Sequence, residues 1–177
     1  MNETKRIGIL SCLVLSGVIA CVWAQTTTPG AYVVGWNEGE ILLDPQGRTN
    51  SINMGPSTGF ADLAVTTQDL PPGTRINPHR HDRTEEVLFV HSGSGILTIG
   101  DQTLEVREGS TIRVPPGIRH GIENPDGNLR IVAVVSPPGL EQAFREMFWR
   151  PGDPAKELTP EEISKIGERY DSIAMPE

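Results

Sequence analysis

The 177-residue chain predicts an all-β fold, a small barrel or sandwich followed by one or two helices. Three observations predict it. Between Tyr32 and Val135, short apolar segments alternate with turn clusters, the signature of many short strands. Glycine and proline are abundant, at 19 and 15 residues, and aromatics make up only 5% of the chain, which disfavours a helical bundle. After Pro137 the apolar spacing changes to a helical period. The length suits one domain with a real core and is short for two.

The elements follow in chain order. Lys5 and Arg6 precede an apolar run from Ile7 to about Ala20 and the small-residue site Val22-Trp23-Ala24, so residues 1–24 read as a secretory signal peptide. Val18-Ile19-Ala20-Cys21 offers a competing reading, a lipobox whose cysteine becomes a lipidated N-terminus. Cleavage after Ala24 is favoured slightly, because Cys12 shows cysteine used as filler in the same run. The expected location is therefore periplasmic or secreted, with a membrane anchor only if Cys21 is lipidated. Cleavage after Ala24 would remove both cysteines, and with them disulfides, cysteine-ligated zinc and a cysteine nucleophile.

Residues 25–31 form a tether without hydrophobic pattern, and residues 32–136 form the barrel. Strands are expected at Tyr32–Trp36, Glu40–Leu43, Ala61–Thr67, Glu86–Val90, Gly95–Ile99, Thr103–Val106, Thr111–Val114 and Leu129–Val135. Gly100-Asp101 reads as a two-residue hairpin turn. The continuous apolar runs 87–90 and 131–135 suit strands buried on both faces. Pro-Pro-Gly at 71–73, 115–117 and 137–139 is punctuation, since proline ends a ladder and glycine permits a tight reversal.

Residues 137–177 form a helical extension. Leu140, Ala143, Phe144 and Met147 make one apolar stripe. Thr159-Pro160-Glu161-Glu162 supplies an N-cap, a proline at the first helical position and a capping-box glutamate. Both helices are expected outside the barrel, covering an edge strand or a partner.

Charge excludes some partners. Loss of Glu3, Lys5 and Arg6 with the leader takes 23 acidic and 15 basic residues to 22 and 13. A chain this acidic is a poor binder of nucleic acid or anionic lipid. No P-loop, dinucleotide-binding glycine fingerprint or Gly-x-Ser-x-Gly elbow is present.

Three of the four histidines fall in two patterns that can build one metal site. The first is Gly73-x5-His79-x-His81-x4-Glu86-x6-Gly93, and the second is Gly109-x5-Pro115-x-Gly117-x2-His120-x3-Asn124. In a strand His79 and His81 point to one face, because the side-chain period is two. Glu86 opens the next strand and can return a carboxylate to the same point, while His120 arrives from a different strand. Imidazole nitrogen and carboxylate oxygen suit a divalent first-row ion. By the same parity Arg75 or Asn77 could reach the pocket; a solvated strand end is at least as good a reading for Arg75, and Asn77 is the better candidate for orienting a substrate. Leu88, Val90 and Ile122 make the walls apolar. Arg80 and Arg119 read as surface charge, and His91 as a strand-end residue.

Both patterns resemble the two signature motifs of the cupin superfamily at every anchor position, across about Tyr32 to Val135. That resemblance implies a double-stranded β-helix, a jelly-roll barrel with the metal inside. It maps the family's ligand positions onto His79, His81, Glu86 and His120. Glu85 is a rival for Glu86, but the six-residue count to Gly93 selects Glu86. The short stretch between the motifs, residues 94–108, resembles small single-domain bacterial cupins.

The expectation is one divalent ion per chain, iron, manganese, zinc, nickel or copper, acting on a small molecule. The leading function is a mononuclear-metal enzyme of dioxygenase-like oxidoreductase type, with Glu86 as ligand and transient base. A non-catalytic cupin that binds or senses a sugar or other small ligand is the alternative. Isomerase or lyase chemistry also occurs on this ligand set. A homodimer is expected from the resemblance.

Overall fold

A computed structural model describes Ala31 and residues 33–176. The expected leader 1–24, the lipobox at Cys21 and all of the tether except Ala31 lie outside the described residues. The chain divides into residues 1–33 and 34–177, and every element below belongs to the second unit.

The strands are β1 (Glu40–Leu43), β2 (Thr49–Met54), β3 (Ala64–Leu70), β4 (Thr74–Arg80), β5 (Glu85–Ser92), β6 (Ser94–Ile99), β7 (Gln102–Arg107), β8 (Thr111–Val114), β9 (His120–Asn124) and β10 (Leu129–Ser136). Helices α1 (Leu140–Met147) and α2 (Pro160–Arg169) follow, then a two-residue strand β11 (Ile173–Ala174). The strands form two antiparallel sheets, ordered β1-β2-β3-β10-β5-β8 and β11-β4-β9-β6-β7. Facing sheets of this kind make a jelly-roll barrel, the all-β architecture that the strand and turn pattern predicts in the form that the motif resemblance implies.

Leu70, Leu88, Val90, Leu97, Ile122, Leu129 and Ile131 fill the space between the sheets. The core is apolar at the β5–β6–β10 end and polar towards β2 and β3, where Asn50, Ser51, Asn53, Thr66, Thr67 and Gln68 are buried. This polar interior explains why β2 is absent from the sequence expectation. Its residues, Thr-Asn-Ser-Ile-Asn-Met, show no apolar alternation although four of the six are buried. Gly93, closing the β5–β6 turn at φ +84°, admits no side chain, since a Cβ there would lie 2.0 Å from the Asn128 carbonyl oxygen.

Three expectations are corrected. Residues 33–36 form no strand. Trp36 and Asn37 instead donate side-chain hydrogen bonds to the two oxygens of Asp69, at 3.0 and 2.6 Å, and Trp36 stacks on His91. Side-chain anchoring takes the place of a ladder.

Strand β5 is buried on one face only, with Val87 37% and Phe89 39% exposed. Its neighbour β10 places Val134 opposite Val87 and Val132 opposite Phe89, so the outer face of the six-stranded sheet is apolar but uncovered among the described residues. Sequence periodicity reported the hydrophobicity correctly, but a second covering layer was inferred from it wrongly.

Helix α1 does not cover an edge strand, whereas α2 packs on β11, the edge strand of the five-stranded sheet. The apolar stripe of α1 turns towards the barrel mouth, where Leu140 packs on Ala64 and Val135 and, with Phe144, faces the interior cavity. Helix α2 begins with the expected reciprocal cap between Thr159 and Glu162. It then leads into β11, which pairs Ile173 with Arg80 and Ala174 with His79. The extension is thus part of the barrel. Arg80 and Arg119, expected at the surface, each contact the tail, Arg80 at Met175 and Arg119 at the Pro176 carbonyl.

Candidate metal centre

His79, His81, Glu86 and His120 converge from β4, the β4–β5 turn, β5 and β9. Each offers a ligand atom, and the four atoms lie within 4.8 Å of one another. The ring centroids are 4.2 to 5.1 Å apart.

The backbone sets the direction of each imidazole. Every Nδ1 faces a main-chain carbonyl: His79 that of Asn77 at 2.9 Å, His81 that of Asp171 at 2.5 Å, and His120 that of Ile118 at 3.0 Å. A carbonyl can only accept, so each Nδ1 carries the proton and each Nε2 keeps a free lone pair. Those lone pairs meet at Glu86. Its Oε2 lies 2.9 Å from His120 Nε2 and 3.6 Å from His81 Nε2. Yet all three atoms are buried without a well-directed hydrogen bond. Acceptor atoms gathered in this way are costly to bury unless a cation holds them. The donor set therefore fits a divalent ion with three nitrogen ligands and one oxygen ligand.

Electrostatics agrees with that fit. Burial pushes His79 down to about 3, helped by the neighbouring charges of His120 and His81, so its ring is neutral at neutral pH. For Glu86 burial opposes ionisation, but His120 and His81 outweigh it and hold the carboxyl well below its usual range. His81 is likewise disfavoured as a cation by burial, and Glu86 with the Asp171 carbonyl raises it nevertheless. A bound metal ion would replace the proton that these groups otherwise share.

Two features of the chain place the histidines. The β4–β9 register runs Ile76↔Ile122 and then His79↔His120, so three steps on β4 match two on β9. This bulge at Asn77-Pro78 reverses the facing of side chains along β4. It fits against Gly121, where a Cβ would lie 2.8 Å from the Ile76 carbonyl oxygen and 3.1 Å from the Pro78 nitrogen. The second feature is the Pro115–Gly117 bend, whose Gly117 N–H donates to the His81 carbonyl at 2.6 Å. One motif is thereby tied to the other.

The bulge also corrects the parity argument for Arg75 and Asn77. Ile76, between them, lines the cavity at the metal centre. Arg75 donates to the Asn77 side chain at 2.9 Å, outside that cavity. Asn77 is exposed and borders only an outer cavity. Glu85 points outward to Arg113, and His91 stacks on Trp36 away from the site. Leu88 and Ile122 form the apolar wall as expected, while Val90 lies deeper in the core.

Sequence reasoning missed Asp171. Its carbonyl holds His81, and its carboxylate accepts from the backbone N–H groups of Asp82, Arg83 and Thr84 at 3.0, 3.0 and 2.8 Å, and from the Thr84 hydroxyl at 2.8 Å. Asp171 thus fixes the turn between two ligands, from ninety residues downstream of His81. It has a positive φ of 64°, a conformation that aspartate tolerates better than most residues. Arg48 was missed as well. This buried side chain is ion-paired with Asp44, donates to the Arg75 carbonyl at 2.9 Å and reaches the cavity.

The four residues meet in a cavity of about 60 Å³ that includes Arg48, Gln68, Leu140, Phe144 and Ser172. It adjoins an outer cavity of about 300 Å³ under the helices, and Arg48, Ile76, His79 and Ser172 border both. A small chamber lined by a cluster that could hold a metal ion suits a barrel that takes a small molecule.

Comparison with known proteins gives the family. Residues 66–135 match the family model described as a cupin domain. An uncharacterised Streptomyces coelicolor protein is 41% identical over 79 residues, 44% of this chain and 72% of that one. The dimethylsulfoniopropionate lyase DddW of Ruegeria pomeroyi is 31% identical over 81 residues, 45% of this chain and 53% of that one. Among solved structures, an RmlC-like cupin from Shewanella frigidimarina superposes with a TM-score of 0.53 at 19% identity, covering 63% of this chain and 96% of that one. The chain belongs to the cupin superfamily. It spans about half the length of several curated relatives that it matches.

Proposed function

We propose that this cupin is a metal-dependent enzyme of small organic molecules, of dioxygenase-like oxidoreductase type. The observation that carries the reading is the wall around the ligand cluster. Apart from the ligands, its polar side chains are Arg48, Gln68 and Ser172. None of these takes up a proton readily at neutral pH. A ligand cluster within an apolar wall suits chemistry centred on the ion rather than on a side-chain acid–base pair. The bound divalent ion would supply Lewis acidity and, if redox-active, electron transfer. His79, His81 and His120 would hold it as neutral imidazoles and Glu86 as a carboxylate. Leu88, Ile122 and Phe144 would keep bulk water from the reacting atoms.

A second reading has specific support. The likeness to a dimethylsulfoniopropionate lyase favours elimination, for which Glu86 is the one carboxylate at the cavity able to accept a proton. Oxygen uptake by iron-loaded protein across phenols, flavonoids and thiols decides between the two. Turnover that consumes oxygen supports the oxidoreductase. Turnover unchanged without oxygen assigns the lyase or isomerase reading. Metal-dependent retention of a ligand without turnover assigns a binding or sensor protein.

The proposal includes export, supported by the basic, apolar and small-residue segments of 1–24. N-terminal sequencing of the mature protein, with palmitate labelling of wild type and Cys21→Ala, tests it. It also includes a homodimer formed through the apolar outer face of β5 and β10, which sedimentation equilibrium of wild type and Phe89→Lys checks.

A further inference from the structure

The outer cavity carries a charge bias opposite to that of the chain. The formal net charge is −8, yet no aspartate or glutamate borders this cavity, and its two formally charged residues are Arg48 and Lys156. Most of the remaining wall is apolar, including Ile76, Phe148, Leu158 and Ile163.

Lys156 is held by main-chain carbonyls, with the Glu146 carboxylate near enough to feel its charge. Its ammonium donates to the Arg145 and Glu146 carbonyls at 2.7 and 3.0 Å, near the C-terminal end of α1. Those contacts position the ammonium, while the direct hydrogen bonds of the Glu146 carboxylate go to Arg169 and Tyr170. Arg48 uses Nε for Asp44 and Nη1 for the Arg75 carbonyl, so its fork has further N–H groups to offer. It borders both cavities, as does His79.

Resting on the reading of the cluster as a small-molecule metal centre, we propose that the outer cavity binds an organic monocarboxylate with an apolar or aromatic body. Its carboxylate is held by Lys156 and the free edge of Arg48. Its body lies on Phe148, Leu158 and Ile163, with the reacting end towards His79. A cation beside an apolar wall attracts a single anionic group. The apolar part of the wall suits such a body better than a sugar, whose hydroxyls would meet only Gln46, Asn77, Ser164, Ser172 and the two cations besides His79. Specificity would thus reside in α1, the linker after it and α2, whereas the motif residues hold the metal.

The test is calorimetric binding of 3-phenylpropanoate, its neutral amide and glucose to the full chain, loaded with redox-inert zinc and after chelation. The acid should bind on the order of tenfold more tightly than the amide, with glucose weakest, as a charge-assisted contact requires. Added salt should weaken the acid alone. Lys156→Gln keeps a donor for the α1 carbonyls but removes the charge, and should erase most of the acid preference. Arg48→Lys, which keeps the charge beside Asp44 but loses the fork, should weaken acid binding more mildly. Equal binding of acid and amide, an unchanged preference in both variants, or no binding of the acid to zinc-loaded protein would overturn the proposal. Failure to take up zinc would instead refute the metal centre. An acid preference surviving in metal-free protein would still support the chamber.

Discussion

Replacing Asp171 separates the metal ligands from the part of the chain that positions them. In Asp171→Ala, three backbone N–H groups and the Thr84 hydroxyl lose an ionised acceptor. Water can replace it at the exposed Asp82 and Arg83, but Thr84 is buried. A hydrogen bond to a charged group contributes about 1.5–3 kcal/mol, and neighbouring bonds to one carboxylate are not additive. Counting mainly the Thr84 pair gives a loss of about 3 kcal/mol. Alanine at a positive φ adds about 1 kcal/mol more. For a domain of this size the expected fall in Tm is roughly 8–16 °C.

The second consequence is at His81, whose Nδ1 partner is the carbonyl of the same residue. With the tail unpinned, metal affinity should fall about tenfold, the low end for loss of a group that orients a ligand. Asp171→Asn tolerates the backbone conformation and keeps one acceptor oxygen, so it should lie between alanine and wild type. Thermal melts of metal-free protein and chelator competition on zinc-loaded protein measure the two effects separately. A Tm within about 2 °C of wild type, together with unchanged zinc affinity, would refute this assignment.

Other perturbations test the remaining architecture. His79→Ala combined with His120→Ala should purify without the ion by elemental analysis, while far-ultraviolet circular dichroism stays that of a β protein. Gly121→Ala forces a methyl onto the β4 backbone and should cost about 1–3 kcal/mol in urea unfolding, with poorer metal retention. Glu40 pairs with Arg145 and Arg150 and joins β1 to the segment around α1. Partial burial opposes its ionisation, but the two guanidiniums win and hold its carboxyl below the ordinary value. Its contribution is therefore present above the unfolded carboxylate pKa and is lost as pH falls through the lower folded value. Glu40→Gln should be less stable than wild type by about 1 kcal/mol or less near neutrality, and the gap should close in acid.

The ligand set was legible because local spacing encodes it: His79, His81 and Glu86 lie within eight residues, and His120 follows a bend marked by proline and glycine. The parity rule failed at Arg75 and Asn77 because the intervening bulge depends on Gly121, a residue on another strand. Asp171 was hidden for a related reason. Its carbonyl and carboxylate act through backbone contacts some ninety residues away, which no local pattern signals. The helices were legible from apolar stripe and capping residues, whereas their docking depended on a barrel mouth that exists only after folding. Strand β2 escaped because three of its four buried residues, Asn50, Ser51 and Asn53, are polar.

Strand β11 bears on the order in which the molecule comes into being. It pairs with β4 beside His79, just after Asp171 secures the His81 turn. During vectorial synthesis the two motifs emerge well before residues 171–174, and N-terminal parts of a chain have the first opportunity to fold. The ligands can then gather around an ion early, but the tail that fixes His81 arrives last. A nascent or truncated chain is therefore expected to hold an ion less tightly than one whose residues 171–174 are in place.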